Sequence, residues 1–208
     1  MATEFQDFLL HRRLFMSAGL AAALAPGAAL AQGAKQAGRV EDMTGEAFAQ
    51  AASAKRSLER NGPVFMADQI GTGSGSRLTM HLGDHTRVRL GERARLTIDR
   101  YLVDAGGDLT LHSGPMMFDR PSGATPLPVQ VRSSFGLIAV RGTRFFAGPS
   151  NNVFGVFVER GRVAVTAAGQ TVVLLPEQGT DIPRPGAPPS PPRIWGQLRI
   201  QAAQASVF

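Results

Sequence analysis

The feature that most constrains the fold is a period-two alternation of apolar and polar residues between positions 77 and 99. Successive side chains of a β-strand point to opposite faces of a sheet, so this pattern predicts strands with one apolar and one solvated face. Turn residues at Gly83-Asp84 and Gly91-Glu92 divide the run, which therefore predicts an antiparallel meander. The apolar positions are Leu78, Met80, Leu82, Val88, Leu90, Ala94, Leu96 and Ile98.

Further short segments rich in Val, Leu, Ile, Phe and Thr follow, at spacings of about ten residues. We predict an all-β fold: a single domain of many short antiparallel strands in a two-sheet sandwich or a rolled sheet. A chain of 208 residues with 43% apolar side chains can bury one ordinary core, and it is too short for a large enzyme. The further strand segments are 109–112, 116–118, 129–133, 137–146, 153–159, 162–167 and 171–175.

Two of these strands, 137–146 and 153–159, contain a run that is apolar at both parities, namely 137–140 and 153–158. Such strands are expected to be covered on both faces, and we expect these two to pair with each other. We place a five-residue turn at 148–152 between them. That register sets Ala147 opposite Val153 and Arg141 opposite Glu159, so it predicts an ion pair between Arg141 and Glu159.

Residues 1–31 have the pattern of an export signal. Arg12 and Arg13 precede a long apolar stretch, and Ala29 and Ala31 provide the small side chains that a signal peptidase requires. The arginine pair followed by Leu14-Phe15 resembles a twin-arginine signal, which carries folded proteins across the membrane. We therefore expect cleavage after Ala31, location in the periplasm and no integral membrane segment after cleavage. An uncleaved signal anchor is the alternative.

The rest of the chain divides by composition. Residues 32–37 are expected to be a linker, and residues 38–182 the β domain. Six prolines between positions 183 and 192 predict an extended linker over 183–193, with no place inside a sheet. The tail, residues 194–208, contains the only tryptophan, Trp195, and alternates at its start. This tail is expected to be either a docked last strand or a segment that binds a partner.

The sequence offers no recognisable catalytic, cofactor or metal site. It contains no cysteine, which excludes disulfides, thiolate metal sites and Cys nucleophiles. His81 and His85 flank a predicted turn and His112 falls on another strand, so no metal ligands gather. The glycine-rich run 71–75 leads into a strand and provides no helix N-terminus for a phosphate. We predict a protein that is not an enzyme; a hydrolase assembled from residues distant in sequence is the remote alternative.

The formal net charge of +6 is carried almost wholly by arginine, since only two of the 22 basic residues are lysine. Five arginines of the alternating region are expected to share one face of the sheet. This basic face either keeps the sheet soluble or meets an acidic partner or the anionic envelope surface, where charges raise association rates. No stacking aromatic residues accompany it, so nucleic acid is not an expected partner. The five are Arg77, Arg87, Arg89, Arg93 and Arg95.

Several motifs, in a fixed order, resemble a known family. Asp68–Gly73 leads into the alternating strands, and residues 140–145, Val-Arg-Gly-Thr-Arg-Phe, are similar to a Val-Arg-Gly-Thr-x-Phe motif. Residues 158–165 resemble Val-x-Glu-Gly-x-Val-x-Val, with Arg160 inserted before the glycine. Leu175–Gly179 is similar to a closing Leu-x-x-Gly-Gln. Together these motifs resemble the FecR domain, the periplasmic sensor module of iron-siderophore signalling.

The resemblance implies a β-rich module over about residues 38–182. It also implies a hairpin about Thr44-Gly45 within residues 39–56, although the Ala, Gln, Lys and Glu content of 47–60 favours a helix. The motif residues are expected either to shape the fold or to contact a partner. They are Arg141, Gly142, Thr143, Glu159 and Gly161.

The resemblance further implies a function in signal transduction. Family members that act as transmembrane regulators place a cytoplasmic part and a membrane helix before this module, where this chain has an export signal. We therefore expect a free-standing secreted member, a non-enzymatic binding or sensing module that contacts an envelope protein. The alternative is an envelope scaffold that docks onto a larger assembly through its proline-rich tail.

Overall fold

The computed structural model describes residues 35–52, 54–102, 106–121, 123 and 128–208. These residues form sixteen strands and one helix, α1 (Gln197–Ala205). The strands are β1 (Gln36–Thr44), β2 (Ala47–Ala51), β3 (Ala54–Ser57), β4 (Pro63–Phe65), β5 (Gln69–Thr72), β6 (Arg77–Leu82), β7 (Thr86–Leu90), β8 (Arg95–Leu102), β9 (Gly106–Ser113), β10 (Met116–Asp119), β11 (Pro128–Ser133), β12 (Gly136–Ser150), β13 (Val153–Ala167), β14 (Gln170–Leu174), β15 (Gln178–Ile182) and β16 (Arg193–Ile194).

The strands belong to one open, mixed sheet. Its order is β3-β2-β5-β8-β9-β11-β12-β10-β7-β6-β1-β4, with β13 beside β12, β14 and β15, and β16 beside β15. Among the described strands, only β9 and β11 pair in parallel. One apolar core includes Ala49 of β2 and Val64 of β4, which lie near opposite ends of this order. The sheet therefore curls around its core, which confirms the all-β prediction in its rolled-sheet form.

The alternating segment forms strands with the predicted faces, but it is not a meander. Its apolar side chains lie in the core, from Leu78 to Ile98, each no more than 1% exposed. β6 and β7 form a hairpin about Gly83, as predicted. β7 then pairs with β10, whereas β8 pairs with β5 and β9, so residues 91–94 cross to another part of the sheet. Period two fixes which face of a strand is buried and leaves its neighbours undetermined.

Residues 47–60 form strands β2 and β3 instead of the helix that their composition favours. Their hydrogen-bonded neighbours in the sheet outweigh local propensity, as is common for strands. The expected hairpin about Thr44-Gly45 is wrong, because β1 pairs with β4 and β6 while β2 pairs with β3 and β5. Gly45, with φ +74°, instead turns the chain between two parts of the sheet, and a Cβ there would lie 2.4 Å from the Ser76 Oγ.

β12 and β13, of fifteen residues each, form the longest hairpin of the fold. Asn151 and Asn152 alone make its turn, with φ values of 53° and 61°. Asparagine tolerates this left-handed conformation, which a tight two-residue hairpin turn requires at both positions. The predicted five-residue turn is therefore wrong, and so is its register. Ala147 pairs with Val156, and Arg141 lies opposite Arg162 instead of Glu159.

The two strand segments that are apolar at both parities differ in burial. Residues 154–158 are buried throughout, as predicted for a strand covered on both faces. Leu137 and Ala139 are only half-buried, so the first part of β12 has one covered face and that prediction is wrong. The two strands that contain these segments do pair with each other, as predicted, but in a different register, which places 137–140 opposite 163–166.

A polar cluster of Thr86, Tyr101 and Arg120 is buried within the sheet, each residue no more than 3% exposed. The Tyr101 hydroxyl donates to the Thr86 Oγ1, and the Arg120 Nη1 donates to the same oxygen at 2.9 Å. Burial raises the pKa of Tyr101 above its usual value, although the bonds with Thr86 and the charge of Arg120 oppose the shift. The native state therefore holds the phenol proton more tightly than the unfolded chain does.

This raised pKa predicts a loss of stability at alkaline pH. The contribution of Tyr101 is fully present below about pH 10, the unfolded value, and falls as the pH rises through the native pKa. Tyr101 is the only tyrosine, so tyrosinate absorbance in a pH titration reports this residue alone. We expect its transition at higher pH in the native protein than in denaturant. Coincident transitions would contradict the burial, and Tyr101→Phe serves as the blank.

Candidate functional site

The Arg-Gly-Thr motif forms a corner in the long hairpin. Gly142 has φ +63° and Gly161, across the ladder, has φ +89°. The pairing of β12 with β13 shifts register between Arg141 and Phe145, as expected where both strands bulge. A Cβ on Gly161 would lie 2.6 Å from the Thr143 Cγ2 and 2.8 Å from the Gly142 carbonyl oxygen. Only glycine fits there without displacing the facing strand.

The corner divides the hairpin between two parts of the sheet. Before it, residues 136–141 of β12 pair with β11; after it, residues 144–147 pair with β10. β13 changes its second partner in the same way, from β15 to β14. Thr143 lies at the corner, fully buried, with its Oγ1 lacking a hydrogen-bond partner among the described residues. Gly142, Thr143 and Gly161 thus lie together at the corner.

Beyond the corner, the outer face of the sheet carries a row of ion pairs across six strands. The Arg87 Nε lies 2.7 Å from the Glu41 Oε2, and the Arg144 Nε lies 2.7 Å from the Glu159 Oε2. Asp119, between them, is 2.8 Å from the Arg160 Nη2 and 3.6 Å from the Arg144 Nη1. We call this set the charged row; its members are Glu41, His81, Arg87, Asp119, Arg144, Glu159 and Arg160.

The charged row is largely buried at its centre and accessible at its rim. Asp119 and Glu159 have side chains only 15% and 18% exposed, whereas those of Arg87 and Arg160 are 36% and 40% exposed. Each of its carboxylates is within ion-pair distance of an arginine. The row therefore presents fixed charges of both signs, an arrangement that favours specific recognition of another charged surface.

Arg89 adjoins the row and meets the end of the chain. Its guanidinium lies 4.5 Å from the centre of the Phe208 ring, and that of Arg144 lies 5.7 Å from the same ring. Burial lowers the pKa of Arg89 below its usual value, and the neighbouring charges of Arg87 and Arg144 lower it further. Arg77 donates from Nη2 to the Ala205 carbonyl at 3.0 Å, where the last turn of α1 exposes its carbonyls.

The apolar half of the same outer face is covered by the C-terminal segment, residues 183–208. Trp195 stacks on Phe157 with ring centres 5.1 Å apart and meets the edge of Phe146 at 6.4 Å. Gly155 and Gly179 form a flat floor beneath its indole, since a Cβ on Gly179 would lie 2.2 Å from the Trp195 Nε1. The two-residue β16 and the helix α1 take the place of a docked long strand, and Trp195 is only 3% exposed, so its indole is not available to a partner.

The proline-rich stretch also has a defined place in the fold. The Thr180 Oγ1 donates to the Ser190 carbonyl at 2.6 Å, and the Ser190 backbone N–H donates to the Asp181 carbonyl at 2.9 Å. These bonds hold the stretch along the outer edge of β15. Arg199 fastens α1 nearby, with its Nη2 2.6 Å from the Asp181 Oδ1. The residues after position 182 therefore pack against the β domain.

The structure divides the five arginines that were expected on one basic face. Arg77, Arg87 and Arg89 do share the outer face of β6 and β7, with Arg89 opposite Thr79 and Arg87 opposite His81. The other two lie elsewhere. Arg93 is in a turn with φ 51° and donates to the Ser74 Oγ. Arg95, on β8, covers the Phe48 ring at 4.7 Å. The single basic face is therefore wrong, because β7 and β8 are not neighbours.

Two of the histidines, His81 and His112, have polar partners within the sheet. The His81 Nε2 lies 3.0 Å from the Glu41 Oε2, and the His112 Nε2 lies 2.8 Å from the Thr97 Oγ1. In the part of the chain that the structure describes, no three His, Asp or Glu side chains gather as ligands for a metal ion. Nor is any helix there long and apolar enough to cross a membrane.

Sequence reasoning missed Arg144 and Asp119, the centre of the row. Arg144 replaces Arg141 as the cross-strand partner of Glu159, because the bulge at the corner shifts the strand register. The glycine pair of the motif was the available signal, since a glycine inside a strand often marks a bulge. Asp119 could have been found from parity, because it pairs with Arg87 on one side and Arg144 on the other.

A double-mutant cycle tests the ion pair between Arg144 and Glu159. We expect Arg144→Ala and Glu159→Ala to couple by about 1 kcal/mol in the free energy of unfolding, because both side chains are largely buried and in contact. Arg132, which pairs with Asp108 on another part of the sheet, is the control, and Arg132→Ala is expected to be additive with Glu159→Ala. Denaturant unfolding measures all five variants, and additivity of the first pair would contradict the contact.

Part of the chain matches a known protein family. Residues 68–164, from the start of β5 into the second half of β13, match the family model for FecR protein. Residues 68–164 are a FecR domain by this match. The match includes the corner and every member of the charged row except Glu41, which lies on β1. The family match supports a regulatory module for sensing or signalling, and is consistent with a protein that is not an enzyme.

Two solved structures of a candidate anti-sigma factor from Parabacteroides distasonis share the fold. Each is 18% identical in sequence to this protein, and each alignment covers 64% of this chain, with TM-scores of 0.52 and 0.54. The alignment spans 63% and 62% of the length of those chains, so each relative is longer than the part it shares with this protein. A comparison with curated proteins found no match. At this identity the likeness concerns the fold of the FecR domain alone.

Proposed function

We propose that the protein is an exported, non-enzymatic sensing module that acts through contact with another protein of the cell envelope. The observation that carries the proposal is the FecR domain, whose corner positions an ordered charged row on the outer face. Fixed charges of both signs discriminate between partners and raise association rates more than they raise affinity. The proposed contact surface is the charged row with its exposed rim, Arg87 and Arg160.

The second candidate, a scaffold that docks through its tail, has less support. Trp195 and α1 pack on the outer face of their own domain, and the proline-rich stretch lines β15. A tail engaged in this way has lost the apolar side chain best suited to anchor a partner. No observation on the described residues favours the hydrolase, so the contact function remains the proposal.

Export is the part of the proposal that rests on the sequence alone. Arg12, Arg13, Ala29 and Ala31 lie outside the described residues. We propose a twin-arginine route to the periplasm, as these four positions suggest. Replacing both arginines by lysine should retain the chain in the cytoplasm, and fractionation of cells measures this. Unchanged secretion would point to the general route and would leave the contact surface untested by this variant.

Site-specific photo-crosslinking in cells tests the contact itself. Thr79 lies opposite Arg89 on the outer face, beside the row and outside its ion pairs. A photoactivatable residue at position 79 should give one discrete adduct with an envelope protein. The same residue at Ser57, which is exposed on β3, is the matched control and should give none. Equal adducts at both positions, or none at position 79, would contradict the proposed surface.

A further inference from the structure

Four of the described strands have only one neighbour in the sheet: β3, β4, β14 and β16. Natural sheets guard such edges with charge, proline or shortness, because an open edge pairs with any available strand. β3 carries Lys55 and Arg56, and β4 has three residues and begins with Pro63. β16 has two residues, one of them Arg193. β14, Gln-Thr-Val-Val-Leu, has neither a charge nor a proline in five residues.

The backbone of β14 is oriented to accept another strand. Ala168 and Gly169, with φ values of 48° and 75°, make a two-residue turn that pairs Ala167 with Gln170. In such a hairpin the pair next to the turn exchanges hydrogen bonds, and the bonding alternates along the ladder. The N–H and C=O groups of Thr171 and Val173 therefore point away from β13, toward the open side.

Exposed apolar side chains lie along the same edge. Val173 is 47% exposed and Leu175, directly after β14, is 44% exposed. Ile194, 72% exposed, lies opposite Gln178, whose Oε1 accepts a hydrogen bond from the Leu175 backbone N–H. Large apolar side chains concentrated beside unpaired backbone groups are the usual composition of an interface.

We propose that β14 pairs with β14 of a second copy of this chain, antiparallel and about a two-fold axis. The strand suits itself, because centring the pair on Val172 places Thr171 opposite Val173 of the partner subunit. The outward N–H and C=O groups of these two residues then bond in both directions, as an isologous contact requires. In a chain with a net charge of +6, the uncharged β14 can meet its own copy without repulsion between cations, whereas the edges β3 and β16 carry cations.

Sedimentation over a range of concentrations tests this pairing on the purified protein, independently of the proposed function. The wild type is expected to dimerise. Val173→Lys should raise the dissociation constant at least about tenfold, because it sets two like charges beside the two-fold axis. Thr171→Pro removes an outward N–H and no bond within the domain, so it should also weaken the dimer. Gln50→Lys, at an exposed position of β2, adds the same charge elsewhere and should leave the dimer intact.

Thermal unfolding of each variant shows that a monomeric form is still folded. A wild type that stays monomeric at its highest soluble concentration would overturn the proposal. This holds even if β14 accepts a strand from a different protein. A dimer unaffected by Val173→Lys and Thr171→Pro would overturn it as well, because another face would then form the interface.

Discussion

Replacing Trp195 by alanine is expected to cost about 4 kcal/mol of stability, the usual range for a buried aromatic truncated in a packed site. The indole stacks on Phe157, covers Gly155 and Gly179, and lies 3.6 Å from the Arg199 guanidinium. Its loss leaves the outer face without a cover and α1 without its main anchor. We therefore expect α1 to detach before the rest of the domain unfolds.

Limited proteolysis and thermal unfolding measure this result. In Trp195→Ala, trypsin should cleave rapidly after Arg199, whose side chain is only 14% exposed in the folded protein. Leu198→Ala is the matched control on the same helix, because Leu198 is 83% exposed and its truncation should change stability by less than about 0.5 kcal/mol. Resistance of the Trp195 variant to trypsin, with an unchanged Tm, would show that α1 docks without the indole.

Gly161→Ala is expected to cost about 3 kcal/mol, the sum of left-handed backbone strain and overpacking. The added methyl group would lie 2.6 Å from the Thr143 Cγ2 and 3.0 Å from the Thr143 Cα, so the facing strand must move. For a domain of this size the loss corresponds to a fall in Tm of roughly 10 °C.

Gly142→Ala separates the cost of backbone strain from the cost of steric overlap. Gly142 has φ +63° and open space where a Cβ would stand, so only the backbone strain applies. We expect about 1 kcal/mol and a correspondingly smaller fall in Tm, measured in the same thermal unfolding series. Equal losses for the two variants would contradict the close approach of Gly161 to Thr143.

The sequence predicted the faces of the strands better than their neighbours. Alternation identified the buried side chains from Leu78 to Ile98, because side-chain direction depends only on the strand itself. Neighbours depend on where the chain crosses between parts of the sheet. β7 and β8 therefore separate although only four residues lie between them. The five arginines expected on one face separate with them, so the basic face could not be predicted from parity.

The predictions of the strand register and of the structure of the tail were wrong for local reasons. Asn151-Asn152 allows a tighter turn than the five residues expected, and the bulge at Gly142 and Gly161 replaces Arg141 by Arg144 beside Glu159. The tail alternates over 194–200, yet residues 197–205 form α1. Their Gln, Ala and Leu content favours a helix, and Ala203 is buried with Val207, one helical turn later. A longer window would have shown this.

The central claim is that the FecR signature bends the hairpin and that contact occurs beside it, on the charged row. Thr143→Val tests it most directly, because the Thr143 side chain is fully buried and its Oγ1 has no hydrogen-bond partner among the described residues. We predict a Tm equal to or above that of the wild type, since valine keeps the shape and removes an unsatisfied hydroxyl. The photo-crosslinked adduct at position 79 should keep its wild-type yield. An unchanged Tm with a lost adduct would contradict the account, because the motif would then affect the contact without acting through the stability of the fold.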